Sequence, residues 1–150
     1  MQKKSVLLLS FLAILTLGVV GTLRSQDAPA DSAHARHSVA VSLLRAINTA
    51  EYDYKNKHGA FASKDSLLAS EEFKGRGMAW AARNEPQLAS AHPSNGPEVL
   101  PGWTLRLNLT PDGKGYDVLL EDTADKSCAW AGYTDERGII RESKPIGCKS

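Results

Sequence analysis

The sequence predicts an α+β domain in which one long N-terminal α-helix lies on a small antiparallel β-meander. Two patterns predict it. Apolar side chains recur at helical intervals between Val39 and Tyr54, and apolar and polar residues alternate from Trp103 to Thr110 and again from Tyr116 to Glu121. Helical signals precede strand signals along the chain, an order that suits α+β packing better than alternating βαβ units.

Composition sets the frame. The chain has 150 residues, 42% hydrophobic and 23% charged, which is globular rather than disordered. Its 18 Lys+Arg against 17 Asp+Glu leave a formal charge of +1, so no broad basic field is available for nucleic acid. A chain of this length reads as about one domain.

Residues 1–30 read as a signal peptide or N-terminal membrane anchor, and residues 31–150 as the folded domain. Lys3 and Lys4 open the chain, and Val6 to Gly21 then runs without a charge. That run falls between the usual length of a signal core and the roughly 20 residues of a spanning helix. Ala28-Pro29-Ala30 offers a small-x-small cleavage pattern that would start the mature chain at Asp31, and Val19-Val20-Gly21 is a weaker second candidate. Cleavage at Asp31 removes three of the 18 basic and one of the 17 acidic side chains, leaving a formal charge of −1. Export to the periplasm, cell surface or medium is expected, with membrane contact only through this segment if it is retained.

The Pro- and Asp-containing stretch from Ser25 to Asp31 reads as a linker, after which Asp31 or Ser32 can cap a helix. No proline or glycine follows until Gly59. Val39, Ala40, Leu43, Leu44, Ile47, Ala50 and Tyr54 form the expected packing face, with Arg45, Asn48, Glu51, Asp53 and Lys55 mostly elsewhere around the cylinder. The helix would be about 25 residues long, close to 38 Å. Ser63 can cap a second short helix through Leu67 and Leu68 to about Phe73. Residues 75–102 carry Pro86, Pro93, Pro97, Pro101 and a Ser94-Asn95-Gly96 turn signal, and read as a long connecting region.

Trp103, Leu105, Leu107 and Leu109 alternate with polar residues, Pro111 to Gly115 is a turn, and Tyr116, Val118 and Leu120 continue the alternation. A hairpin is expected. Cys128 to Thr134 reads as a third strand, Asp135 to Gly138 as a turn and Ile139 to Arg141 as a short fourth strand. In an oxidising compartment Cys128 and Cys148 can form one bridge; the alternative is two separate buried thiols.

Leu44 to Glu51 with Tyr54 following, His58-Gly59-Ala60-Phe61, the Leu67-Leu68 helix, Pro101 to Leu105, Gly115-Tyr116 and Tyr133 to Arg141 occur in an order that resembles the pilin-like proteins of type IV pili and type II secretion, the major-pseudopilin type in particular. The likeness covers about 100 residues. It implies a pilin-like helix-on-sheet domain that assembles with other pilin-like subunits or secretion-system proteins, without enzymatic activity. The chain departs from that family's leader pattern, since no glutamate occurs between Met1 and Glu51. A glutamate in the apolar segment would serve as a registry device, so its absence, together with the Pro-containing linker, points to a soluble or peripheral subunit rather than a filament core. The alternative is a soluble periplasmic or secreted binding module of the same fold, with residues 75–102 as its ligand surface.

Chemistry-bearing groups are sparse. His34 and His37 share a helix face but lack a third ligand, and His58 and His92 lie in turn or loop contexts. No cofactor is expected. Glu121, Asp122 and Asp125 fall between strands, where Asp122 and Asp125 are weak candidates for calcium, because major pseudopilins bind calcium in a comparable loop. Asp135-Glu136 is read as an exposed acidic turn. No serine sits in a Gly-x-Ser-x-Gly elbow, and neither cysteine has an adjacent histidine. Trp80, Trp103 and Trp130 are expected in packing rather than as sugar platforms.

Overall fold

The computed structural model describes residues 28–126 and 130–143. Cys128 and Cys148, and with them the expected bridge, lie outside the described residues, as do the apolar segment and its cleavage sites. Helix α1 spans Ala28–His58, 31 residues or about 46 Å. It already includes Ala28, three residues before the expected start at Asp31, so Pro29 and Asp31 lie in helical backbone rather than in an interrupting linker.

The buried face of α1 is broader than one stripe. Ala40, Leu43, Leu44, Ile47 and Ala50 are buried as expected, with Val39 and Tyr54 partly buried at the edges, but Ser42, Ala46 and Glu51 are buried too. The reason is that α1 is packed on two sides, against strands on one and a helical layer on the other. Each of Leu43, Leu44 and Ile47 contributes roughly 1.5–3 kcal/mol through burial.

The helical layer replaces much of the expected connecting region. Helix α2 spans Lys64–Ala69 and is capped by Ser63, whose hydroxyl accepts the Ser66 N–H. It ends before Phe73 because Ser70 turns outward: its hydroxyl donates to the Leu67 carbonyl at 2.7 Å and accepts the Phe73 N–H at 3.2 Å. A π-helical turn, Glu72–Gly77, runs directly into α3, Met78–Asn84, and a 3₁₀ turn follows at Pro86–Leu88. Gly77 permits this layer to approach α1, since a Cβ there would lie 2.9 Å from the Ala46 carbonyl oxygen.

Among the described residues five strands, one more than expected, form an antiparallel meander in chain order. They are β1 Glu98–Leu100, β2 Trp103–Leu109, β3 Tyr116–Asp122, β4 Ala131–Asp135 and β5 Arg141–Ser143. The additional strand, β1, joins β2 through Gly102 at φ +78° and pairs Leu100 with Trp103. The β2–β3 hairpin has Leu105 opposite Leu120 and Leu107 opposite Val118. Burial follows the expected alternation along Tyr116, Val118 and Leu120, but fades along β2, where Leu109 is 38% exposed. Trp103 and Trp130 meet edge to face in the core with ring centres 5.6 Å apart. Gly132 of β4 stands where a Cβ would lie 2.6 Å from Leu44 Cδ1 and from the Trp130 ring, so its missing side chain sets how closely α1 approaches the sheet.

Candidate functional site

Polar side chains anchor α1 at three levels, to the sheet at the first two and to the corner before α2 at the third. At the first, the Arg36 guanidinium meets the buried Asp122 carboxylate at the end of β3, Nε to Oδ2 at 3.2 Å and Nη2 to Oδ1 at 2.6 Å. The same guanidinium lies 5.1 Å from the centre of the Trp103 ring. Asp122 Oδ1 also accepts the Ala124 and Asp125 N–H groups. Burial pushes this carboxyl up, but Arg36 and the two backbone donors outweigh it and hold it below the usual carboxylate range. The charge that the sequence offers to calcium at Asp122 is therefore engaged by a guanidinium, and Asp125 contributes its backbone N–H to the same turn. One residue on, His37 stacks on Trp130 at 5.1 Å.

At the second level Asn48 bridges two strands. Its Oδ1 accepts from the Tyr116 hydroxyl of β3 at 2.8 Å, and its Nδ2 donates to Thr134 Oγ1 of β4 at 2.8 Å. Beside it, Asp135 is almost fully buried. Hydrogen bonds from Arg137, more than offsetting desolvation, hold its carboxyl below the usual range.

The third level is Glu51, which is completely buried. Its Oε2 accepts the Ala62 N–H at 2.9 Å, whereas Oε1 has no partner among the described residues. Burial pushes the carboxyl up to about 7, with the Ala62 hydrogen bond acting in the opposite direction. Glu51 and Asn48 were expected away from the packing face. Their positions carry a signal nonetheless: Glu51 lies four residues after Ile47 and seven after Leu44, the spacing of one helix face. Only their polarity argued against burial.

Beside the first level, a groove of about 600 Å³ opens between α1 and the 87–103 segment. Arg36, Val39, Leu88, His92, Leu100 and Trp103 are among its lining residues. It offers an apolar floor, with His92 and the Asp122-bound Arg36 at its edge. His34 is exposed, and among the described residues no group of three or more His, Cys, Asp or Glu converges to hold a metal ion. Trp80 is partly buried, with the Arg45 guanidinium 6.0 Å from its ring centre. No described helix is long and apolar enough to cross a membrane. Compared with family models, curated proteins and solved structures, the chain finds no match.

Proposed function

We propose that the chain is a non-enzymatic pilin-like or pseudopilin-like subunit that acts through protein–protein contacts in an exported assembly related to type IV pili or type II secretion. The observation that carries this reading is the 31-residue helix lying on an antiparallel meander in chain order, the arrangement that the resemblance implies. The polar groups fit a scaffold role as well. Arg36, Asp122, Asn48, Tyr116 and Thr134 hold helix to sheet, and each is engaged by another part of the fold. The surfaces left for partners include the outward side of α1, where Tyr52 is 66% exposed.

A photo-cross-linking residue at Tyr52 in the native cell tests the reading. The expected outcome is a covalent adduct with another exported subunit that carries an apolar N-terminal segment followed by a helix. Recovery of the chain only as an uncross-linked soluble monomer would favour a second reading, a periplasmic or secreted binding module, which the groove beside α1 supports. Turnover abolished by one polar substitution would overturn both.

A further inference from the structure

The corner between α1 and α2, residues 59–63, is held by two side chains and one carboxyl. Phe61 is buried, with its ring edge-on to Tyr116 at 4.8 Å, and the Lys55 ammonium sits 4.2 Å from its centre. Ala62, next along, is buried and gives its N–H to Glu51 Oε2. Ser63 then caps α2. The seat of Phe61 and the start of α2 thus adjoin a single carboxyl whose second oxygen has no partner.

The two protonation states of that carboxyl are not equivalent here. Neutral, it leaves one hydroxyl without a partner and keeps an acceptor for Ala62, a modest cost. Ionised, it places a full charge in the core with one N–H for compensation, which is far more costly.

Among the described residues no neighbouring cation makes up the difference. On α1, Lys55 is occupied by the Phe61 ring, Lys57 pairs with Glu72 at 2.8 Å, and His58 lies 3.9 Å from Glu72. From the π-helical turn, Arg76 pairs with Asp53 at 3.0 Å. The sheet adds Tyr116 from β3 and the acidic Asp135 and Glu136 at the end of β4; burial, and then Glu51 and these two carboxylates, disfavour ionisation of Tyr116. Asp135 is held by Arg137 and approached by Arg141 at 3.5 Å. Residues 59–63 themselves contain no titratable side chain.

We propose that Glu51 is a proton-operated latch: the neutral carboxyl holds the 59–63 corner on α1, and its ionisation releases Ala62, Phe61 and the start of α2. The corner is closed in acid and loosened above neutrality. An exported subunit could meet both conditions, but the latch rests on the packing around Glu51 and not on the proposed function.

Amide hydrogen exchange at Ala62 in the full chain, corrected for the intrinsic pH dependence of exchange, tests it. A carboxyl near 7 when closed and near 4.5 when open predicts that protection falls on the order of fiftyfold between about pH 5 and about pH 8. The Glu51→Gln variant, which mimics the neutral form, should lose that dependence and stay protected at the higher pH. Carbon-detected NMR titration of the wild-type Glu51 carboxyl covers the case in which the variant does not fold. A midpoint near 7 that coincides with loss of Ala62 protection supports the latch. Equal pH profiles in wild type and variant, or a carboxyl ionised near pH 5 with Ala62 still protected, would overturn it.

Discussion

Arg36 and Asp122, 86 residues apart in the chain, meet through two hydrogen bonds that close α1 onto the end of β3. Asp122 also binds the two N–H groups of the following turn, so one carboxylate joins a helix, a strand end and a loop. Replacing Arg36 by Met keeps much of the stem packing but leaves the carboxylate buried without its cation. Because the Arg36 side chain is 36% exposed, a loss of about 1–3 kcal/mol is expected, less than for a fully buried pair. Urea denaturation measures it.

The pair also fixes a pH dependence. The folded Asp122 carboxyl lies below its ordinary value of 3.8, so its contribution is present above that value and lost as pH falls through the folded one. Arg36→Met should therefore flatten the acid limb of the stability profile. An unchanged acid limb would assign the low value to the two backbone donors instead.

Asn48 gives a second case. Asn48→Ala removes the acceptor of the Tyr116 hydroxyl and the donor to Thr134, leaving two polar groups at a closed seam. Thermal or urea unfolding should register about 2–3 kcal/mol. Adding Thr134→Val should cost less than the sum of the separate effects, because Thr134 has then already lost its Asn48 partner.

Gly132 is a packing position. A methyl group there meets the buried ends of Leu44 and Trp130, so Gly132→Ala should destabilise by about 1–3 kcal/mol. Shortening the opposing side chain with Leu44→Val should recover part of that loss. Failure to recover any of it would contradict the close approach of α1 to β4.

Export, as proposed, would have a covalent consequence. In an oxidising compartment Cys128 and Cys148 should be paired, closing a loop of about 20 residues that would stabilise the domain by roughly 3 kcal/mol. Intact mass after alkylation without reductant should then show no added groups, and two after reduction. Two alkylations before reduction would contradict the bridge and weaken the case for export.

The legible parts of the fold were those in which one period ran long enough. The α1 face from Val39 to Tyr54 and the β2–β3 alternation follow from spacing, because burial on one side imposes 3.6- and 2-residue periods. Residues 72–88 were illegible for the opposite reason. The glycines at 75 and 77 read as loop, whereas Gly77 is present so that a helical turn can touch the α1 backbone at Ala46. Strand β1 is three residues long and follows Pro97, too short for any period to appear. At the candidate site, Asn48 and Glu51 occupied positions of the correct face but carried side chains that hydropathy assigns to solvent. What makes them internal is the Tyr116, Thr134 and Ala62 partners, brought there only by the tertiary fold.

The most direct measurement is native-state hydrogen exchange on the folded chain, comparing amides of residues 40–51 in α1 with those of β3. If helix and sheet depend on each other through Leu43, Leu44, Ile47 and Asn48, both sets open together, and Leu43→Ala lowers their protection by the same factor. Loss of α1 protection with the sheet still protected would contradict that dependence, and with it the helix-on-meander domain from which the proposed role follows.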